Sequence, residues 1–231
     1  MKPLTLIFSL VVIAACTACS TQTPPLSLAY LPDGPSLSEP ITENIFVVIE
    51  EDARPFKGRS RGGTGLLAWI PLVPYGHQQF ALDNAKGSRS MPREVADTII
   101  NDLRTAGIAQ FIDYQNLNDP RQRFIKDPIY LHVTLNEAVW HRYFTLYGAS
   151  FAGLFLWIPG LPVSYGSVAL GFDVELKDSK GASLGSQIFK AKESVTEWLY
   201  SPFPYPSEIP KAYKQISPAL REFVTKHLKS D

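Results

Sequence analysis

Cysteine is nearly absent from this sequence, and its two cysteines, Cys16 and Cys19, both lie close to the N-terminus. The chain beyond Cys19 therefore contains no thiol that could form a disulfide bond or a thiolate metal site. We expect the folded part to be stabilised by burial of apolar side chains, which a chain of 231 residues permits.

An excess of charge of either sign is also lacking. The 22 basic and 22 acidic residues give a formal net charge of zero, so no electrostatic footprint for nucleic acid is present. The four histidines are His77, His132, His141 and His227, and none has a second ligand at metal spacing. The odd spacing of His132 and His141 predicts that they point to opposite faces of one strand. The sequence thus predicts no metal, no cofactor and no nucleic-acid partner.

The first residues carry a recognisable targeting signal. A basic start precedes the uncharged apolar run PLTLIFSLVVIAA, which is typical of a secretory signal and too short to span a bilayer. Cys16 follows IAA in a pattern that resembles the bacterial lipobox, whose cysteine is lipidated, and Cys19 is the alternative. We therefore predict a lipoprotein signal peptide over residues 1–15, a Pro/Ser-rich tether over 16–43 and one domain over 44–231.

Hydrophobic periodicity predicts an α+β fold, a mixed β-sheet with two helices packed on one face. The predicted strands are 44–50, 108–114, 130–140, 167–178 and 186–198, and the predicted helices are 91–106 and 207–228. In the third strand, residues Leu131, Val133, Leu135 and Val139 are expected to share the buried face.

Glycine and proline residues predict where helices end and where turns lie. Gly107 is a C-terminal stop for the first helix, and DSKG at residues 178–181 is a turn. Pro218 is expected to kink or restart the last helix, with Ser217 as the new cap. The basic segment GRSRGGTG at residues 58–65 is expected to be a solvated loop.

Several of these segments together resemble a family of bacterial envelope lipoproteins. They are ADTIINDLRTAGI before QFIDY, the strand IYLHVTLNEAVW and the hairpin DSKGASLGSQIF. The shared domain of that family recurs in the N-terminal domain of the Tol-Pal translocation protein, in the curli-secretion lipoprotein and in ABC-type transport auxiliary lipoproteins. The resemblance covers roughly residues 44–229. It implies a lipid-anchored protein that scaffolds or assists a transport or assembly machine, without a family catalytic residue.

Two uncharged stretches lie outside that common pattern. They are GTGLLAWIPLVPYG at residues 63–76 and AGLFLWIPGLPVSYG at residues 152–166. A membrane-spanning helix is disfavoured because prolines break the longer stretch and the shorter one cannot cross. Either both stretches pack in the core, or they dock on lipid, on a second copy or on a protein partner, with a partner favoured over lipid. The candidate contact residues are Trp69, Ile70, Pro71, Trp157, Ile158 and Pro159.

Candidate catalytic groups are few. Ser183 lies in GASLG, which matches the nucleophile-elbow pattern, but the elbow requires a following helix, whereas QIFKAKE predicts a strand. Glu137 and Asp173 are interpreted as residues of the sheet surface rather than as a paired acid and base. We therefore predict that the protein is not an enzyme.

The function predicted from the sequence is that of a non-catalytic binding, scaffold or assembly subunit of a transport or assembly complex of the cell envelope. Neither Thr17 nor Ser20, which follow the two cysteines, provides an aspartate retention signal. We therefore expect a lipid anchor on the periplasmic face of the outer membrane, and a protein partner or a homo-oligomer. The alternatives are a periplasmic carrier of an apolar ligand held between the two Trp-Ile-Pro stretches, and a periplasmic hydrolase.

Overall fold

The structure is a computed structural model that describes residues 36–37, 39–50, 52–63, 74–82, 90–116, 118–145, 162–198 and 205–229. The strands are β1 (Thr42–Ile49), β2 (Arg59–Gly63), β3 (Pro74–Ala81), β4 (Ala109–Tyr114), β5 (Ile129–Thr145), β6 (Pro162–Lys177) and β7 (Ser183–Trp198). The helices are α1 (Met91–Thr105) and α2 (Tyr205–Leu228), with a 3-10 turn at Gln122–Phe124.

The long strand β5 organises a mixed sheet of seven strands. Strand β6 pairs with β5 in antiparallel fashion along nearly its whole length, and β7 pairs with β6 in the same way. The other side of β5 is divided between parallel β1, which pairs Ile45 with Ile129, and antiparallel β3, which pairs Ala81 with Val139. Strand β4 lies beyond β1, and β2 lies beyond β3. The predicted α+β class with a mixed sheet is confirmed.

Helix α1 begins and ends close to its predicted limits. Ser90 occupies the N-cap position with its carbonyl oxygen accepting from Arg93, although its hydroxyl makes no capping bond. Gly107 adopts the left-handed region at φ 69°, which glycine reaches without a Cβ clash. The amide of Ile108 then donates to the carbonyl of Leu103 at 3.2 Å, which closes the helix as a Schellman motif.

Helix α2 buries an apolar stripe against β6 and β7. Its buried residues are Ile209, Ala212, Tyr213, Ile216, Ser217, Leu220, Phe223 and Val224. The helix runs through Pro218 as one element, so the predicted restart is wrong. Pro218 lies on the exposed side, and the flanking turns are fixed by packing of Ile216 and Leu220, which outweighs the missing amide bond.

Both α-helices pack on the same face of the sheet. Asp102 of α1 accepts hydrogen bonds from Arg221 and Tyr213 of α2, so the two helices also contact each other. The sheet side chains of this core include Val133, Phe172 and Phe189. No described α-helix covers the opposite face of the sheet, called the open face below.

A β-bulge in β5 changes the predicted alternation. The register shifts between Leu135 and Glu137, so that Ala138 and Trp140 follow Leu135 on the core face. Val139 is therefore on the open face, and its predicted place on the core face is wrong. An inserted residue reverses the alternation because side chains of a strand repeat every second residue.

The basic segment at residues 58–65 was predicted as a loop, and this prediction is wrong for most of it. Arg59 to Gly63 form β2, an edge strand that pairs with β3 from Arg59↔Phe80 to Gly63↔Gly76. Most positions of β2 are exposed. This edge strand is therefore ordered by its backbone pairing with β3 rather than by burial of side chains.

Candidate functional site

Five strand ends meet at one end of the sheet. Strand β5 finishes there at Thr145, which pairs with the first residue of β3, Pro74. Strand β2 finishes there because Gly63 pairs with Gly76, and β6 begins there because its first residue, Pro162, pairs with Trp198 at the finish of β7. Three connections therefore leave the sheet at the same end.

None of these three connections contains a charged residue. They are residues 64–73 between β2 and β3, residues 146–161 between β5 and β6, and residues 199–204 between β7 and α2. At the other end of the sheet, by contrast, the turn between β6 and β7 carries Asp178 and Lys180. We call the first end the uncharged end.

The predicted contact residues belong to two of these connections. Trp69, Ile70 and Pro71 lie in the first connection, and Trp157, Ile158 and Pro159 lie in the second. All six are outside the described residues, as are Cys16 and Cys19. The strand pairing shows where the described residues that flank each Trp-Ile-Pro stretch lie.

Two exposed tyrosines lie on the open face beside the uncharged end. Tyr143 of β5 and Tyr165 of β6 are direct cross-strand partners, so their side chains share one face. Their exposures are 47% and 40%, which is high for large aromatic side chains in the middle of a sheet. Paired tyrosines with apolar rings and polar hydroxyls are well suited to a contact surface.

An aromatic layer on the core face supports this end of the sheet. Trp140 is 3% exposed and stacks on Phe80 of β3 with ring centroids 5.0 Å apart. The guanidinium of Arg59 lies 4.7 Å from the Phe80 centroid, and that of Arg142 lies 5.4 Å from the Trp140 centroid. These cation–π contacts join β2, β3 and β5 just behind the uncharged connections.

Close backbone packing continues into β6. A side chain on Gly166 would overlap the carbonyl oxygen of His141 and approach the indole nitrogen of Trp140 to 3.2 Å. Only glycine fits between these groups without movement, so the sequence places a glycine next to exposed Tyr165. The uncharged end is therefore built on a tightly packed part of the sheet.

Ser183 lies at the opposite end of the sheet from this surface. It is the first residue of β7, after the turn in which Asp178 accepts from the amides of Lys180 and Ala182. The Ser183 hydroxyl donates to the carboxylate of Glu175, and this hydrogen bond lowers the pKa of Glu175. A strand follows Ser183, whereas a nucleophile elbow is followed by a helix.

The remaining titratable candidates lie on the open face. The bulge brings His141 to the same face as His132, so their predicted opposite orientation is wrong. Burial lowers the pKa of His141, and the ammonium of Lys192 lowers it further. Glu137 lies opposite Gly171, two pairs from Asp173 on the same sheet surface. Within the described part of the chain, no three metal-ligating side chains converge.

Comparison with known proteins gives no family for this chain, since neither a family model nor a curated protein matches it. Three solved structures share 12% identity with it. A candidate lipoprotein from Caulobacter crescentus has a TM-score of 0.29 and aligns over 45% of this chain and 68% of its own. A Xanthomonas campestris protein assigned to DUF330 has a TM-score of 0.36 and aligns over 87% of this chain and 89% of its own.

The third is a candidate homologue of the neuraminyllactose-binding haemagglutinin from Helicobacter pylori, with a TM-score of 0.35 over 88% of this chain and 94% of its own. At this identity and these scores, no property of the three proteins is carried over to this chain. The lipoprotein families named above stay a prediction. None of the helices in the described ranges is both long and apolar enough to cross a membrane.

Proposed function

We propose that this protein is a lipid-anchored lipoprotein of the bacterial cell envelope that acts as a non-catalytic binding, scaffold or assembly subunit. Its contact surface is the uncharged end of the sheet, and its occupant is a protein partner. The observation that carries the proposal is the strand pairing, which makes the connections with Trp69 and Trp157 depart from neighbouring strands. Similar sequences that begin side by side are suited to one shared surface.

The surroundings of this end favour contact over burial in the core. Thirty-two residues without a charge leave the sheet there in three connections. The core face behind them is already filled, because Trp140 stacks on Phe80 and Gly166 leaves no room for a side chain. Tyrosine and tryptophan are enriched in protein interfaces, and both residue types occur in the three connections.

The predicted tether joins the domain at the end of the sheet opposite to the uncharged end. The chain before β1 is fixed beside the C-terminus of α1, where the Leu37 amide donates to the carbonyl of Ala106. Strand β1 then starts near Ile129, at the opposite end of β5 from Thr145. At about 3.3 Å a residue, β5 separates the two ends by about 50 Å. The uncharged end therefore lies far from the point where the anchored tether joins the domain.

Tryptophan variants test the contact surface. Trp69→Ala and Trp157→Ala are compared with Trp140→Ala, whose side chain is buried. If the two stretches form a contact surface, we expect the first two variants to keep their unfolding temperature. The Trp140 variant should lose about 3–5 kcal/mol through lost burial and a cavity. Chemical cross-linking in intact envelopes and sedimentation velocity of the purified protein then measure partner binding and self-association.

The outcomes separate the occupants. Loss of the same cross-linked species in both Trp69 and Trp157 variants supports a protein partner. Destabilisation of both variants to the extent seen for Trp140→Ala, with cross-linking unchanged, assigns the stretches to the core and overturns the contact surface. If the unlipidated wild-type protein binds phospholipid vesicles and both variants lose this binding, the surface contacts lipid instead.

The anchor is tested at the cysteines. Cys16→Ser should remove palmitate labelling and release the protein from the outer membrane fraction, because the acyl chains supply its membrane affinity. Cys19→Ser is the control and should label normally. If labelling survives Cys16→Ser and is lost in Cys19→Ser, the anchor is Cys19. If neither the wild type nor the variants are labelled, the proposed lipid anchor is wrong.

A further inference from the structure

The end of the sheet opposite to the uncharged end is the one that the predicted tether enters. Strands β1, β4 and β5 begin there. The turn from β6 to β7 lies there as well, because Tyr130 near the start of β5 pairs with Lys177 at the finish of β6. The amide of Leu37 donates to the carbonyl of Ala106 just before β4. The predicted tether therefore reaches the domain at this end, called the tether end below.

Exposed basic side chains from separate parts of the chain lie at the tether end. Lys126 is in the connection before β5, and Lys180 is in the turn between β6 and β7. The hydroxyl of Ser179 donates to the carboxylate of Asp127 at 3.5 Å, which holds that connection against the turn. The two lysines therefore belong to one surface.

The C-terminal end of α2 adds a further basic residue. The ring of His227 lies against Gly185 near the start of β7, because a Cβ on that glycine would come within 2.7 Å of the ring atom Cε1. Lys229 follows two residues later and is exposed. Basic groups thus reach the tether end from the helix layer as well as from the sheet connections.

A large apolar side chain lies beside these basic groups. Phe124 is 83% exposed and is three residues before Asp127, so it lies within about 10 Å of the contact with the β6–β7 turn. The side-chain amide of Gln122 donates to the carbonyl of Tyr114 at 2.9 Å and so ties the 3-10 turn to β4. An exposed aromatic ring next to basic side chains is typical of contact with a membrane interface.

The carboxylates of the neighbouring turns are used to hold the backbone. Asp178 accepts from the amides of Lys180 and Ala182, and Asp119 accepts from the amide of Arg121. The side chains of Arg121 and Lys180 are nevertheless exposed. Among the described residues, neither of these side chains makes an ion pair. Their charges are therefore available to an anion outside the protein.

We propose that the tether end docks on the anionic phospholipid surface of the membrane that holds the anchor, with Phe124 in the headgroup layer. Lipid phosphates then pair with Arg121, Lys126 and Lys180. The proposal rests on the lipid anchor of the proposed function. About 20 residues separate Cys16 from the first described residue, so the anchor keeps this end at a high effective concentration near the lipid. That position favours lipid over an acidic protein as the occupant.

Hydrogen–deuterium exchange of the full-length lipoprotein tests the proposal. The protein is reconstituted through its own anchor into liposomes of phosphatidylcholine, with or without phosphatidylglycerol as the anionic lipid. We expect the amides of residues 121–126 to exchange roughly fivefold more slowly in the anionic liposomes, which is the factor expected from one basic side chain at an anionic surface. Lys126→Glu combined with Lys180→Glu should remove this difference. Lys190→Glu combined with Lys192→Glu, at exposed positions of β7, is the matched control and should keep it.

The outcomes separate this docking from the anchor itself. Equal exchange at residues 121–126 in the two kinds of liposome, with the protein floating with both, would overturn the docking and leave the anchor in place. A protein that floats with neither kind would overturn the anchor and this proposal together. A difference that survives the Lys126 and Lys180 double variant, or that is kept in full by Phe124→Ser, would also overturn it. Equal exchange in liposomes with cross-links from this end to an acidic envelope protein would assign the surface to a protein instead.

Discussion

Replacing Asp102 with asparagine tests how the two helices are held together. Asp102 lies on α1 and is fully buried. Its Oδ1 accepts from Arg221 of α2 through Nη2 at 2.6 Å and Nε at 3.0 Å, and its Oδ2 accepts from the Tyr213 hydroxyl at 3.1 Å. Among the described residues, every hydrogen bond of this carboxylate is therefore made to the other helix.

The expected cost follows from this geometry. Removing one partner of a buried ion pair typically costs about 3–5 kcal/mol, because the other charge is left without compensation. The Arg221 side chain retains 16% exposure and can reach water, so for Asp102→Asn we expect the lower end, about 3 kcal/mol. For a domain of this size, that loss lowers Tm by about 6–12 °C. Tyr213→Phe removes one neutral donor and should cost about 1 kcal/mol.

A double-mutant cycle in urea denaturation isolates the pair. Asp102→Ala and Arg221→Ala should each destabilise the protein, and the double variant should cost less than their sum, with a coupling of about 1–3 kcal/mol. An Asp102→Asn protein within about 0.5 kcal/mol of the wild type, or additive single variants, would refute the view that this carboxylate joins the helices.

Two further predictions concern the sheet and its margin. Gly166→Ala should cost about 1–3 kcal/mol in urea denaturation by forcing β6 away from β5, whereas Gly58→Ala, with open space around it, should be neutral. Equal effects of the two substitutions would contradict the steric argument. The hydrogen bond from Arg54 holds the pKa of Asp52 below its ordinary value of 3.8, so the stability that Asp52 adds over Asp52→Asn should be present above pH 3.8 and disappear as pH falls further. Denaturation at several pH values measures this, and a difference that grows in acid would contradict it.

The elements that could be predicted from the sequence are those with an uninterrupted period. In strand β6, Val168, Leu170, Phe172, Val174 and Leu176 recur at every second position, and all five are buried. The apolar period of α2 continues through Pro218 and predicts the helix, because buried residues repeat on both sides of the proline. In both elements, local periodicity and tertiary packing agree, so one pattern is sufficient.

The expectations that failed depend on contacts between distant residues. The bulge in β5 cannot be read from IYLHVTLNEAVW, since the extra residue is defined only by its pairing with Phe172 and Gly171. Strand β2 contains arginines and glycines that disfavour a strand, and pairing with β3 outweighs that preference. The cavity of the open face beside Asp173 could not be predicted from the sequence, because residues of three strands, β5, β6 and β7, and of the segment after β1 line it.

For the candidate contact surface, the sequence could show which segments lack charge but not that they leave from one place. The two Trp-Ile-Pro stretches are separated by α1 and β4, and nothing local relates them. The strands that flank them lie side by side, because β5 pairs with β3 on one side and with β6 on the other. The connection that enters β3 and the connection that leaves β5 therefore have neighbouring ends. A resemblance between two segments becomes evidence for a shared role only when the topology makes them neighbours. The same pairing places the start of β1 and the uncharged end at opposite ends of β5, so the proposed contact surface and the predicted tether lie at opposite ends of the sheet.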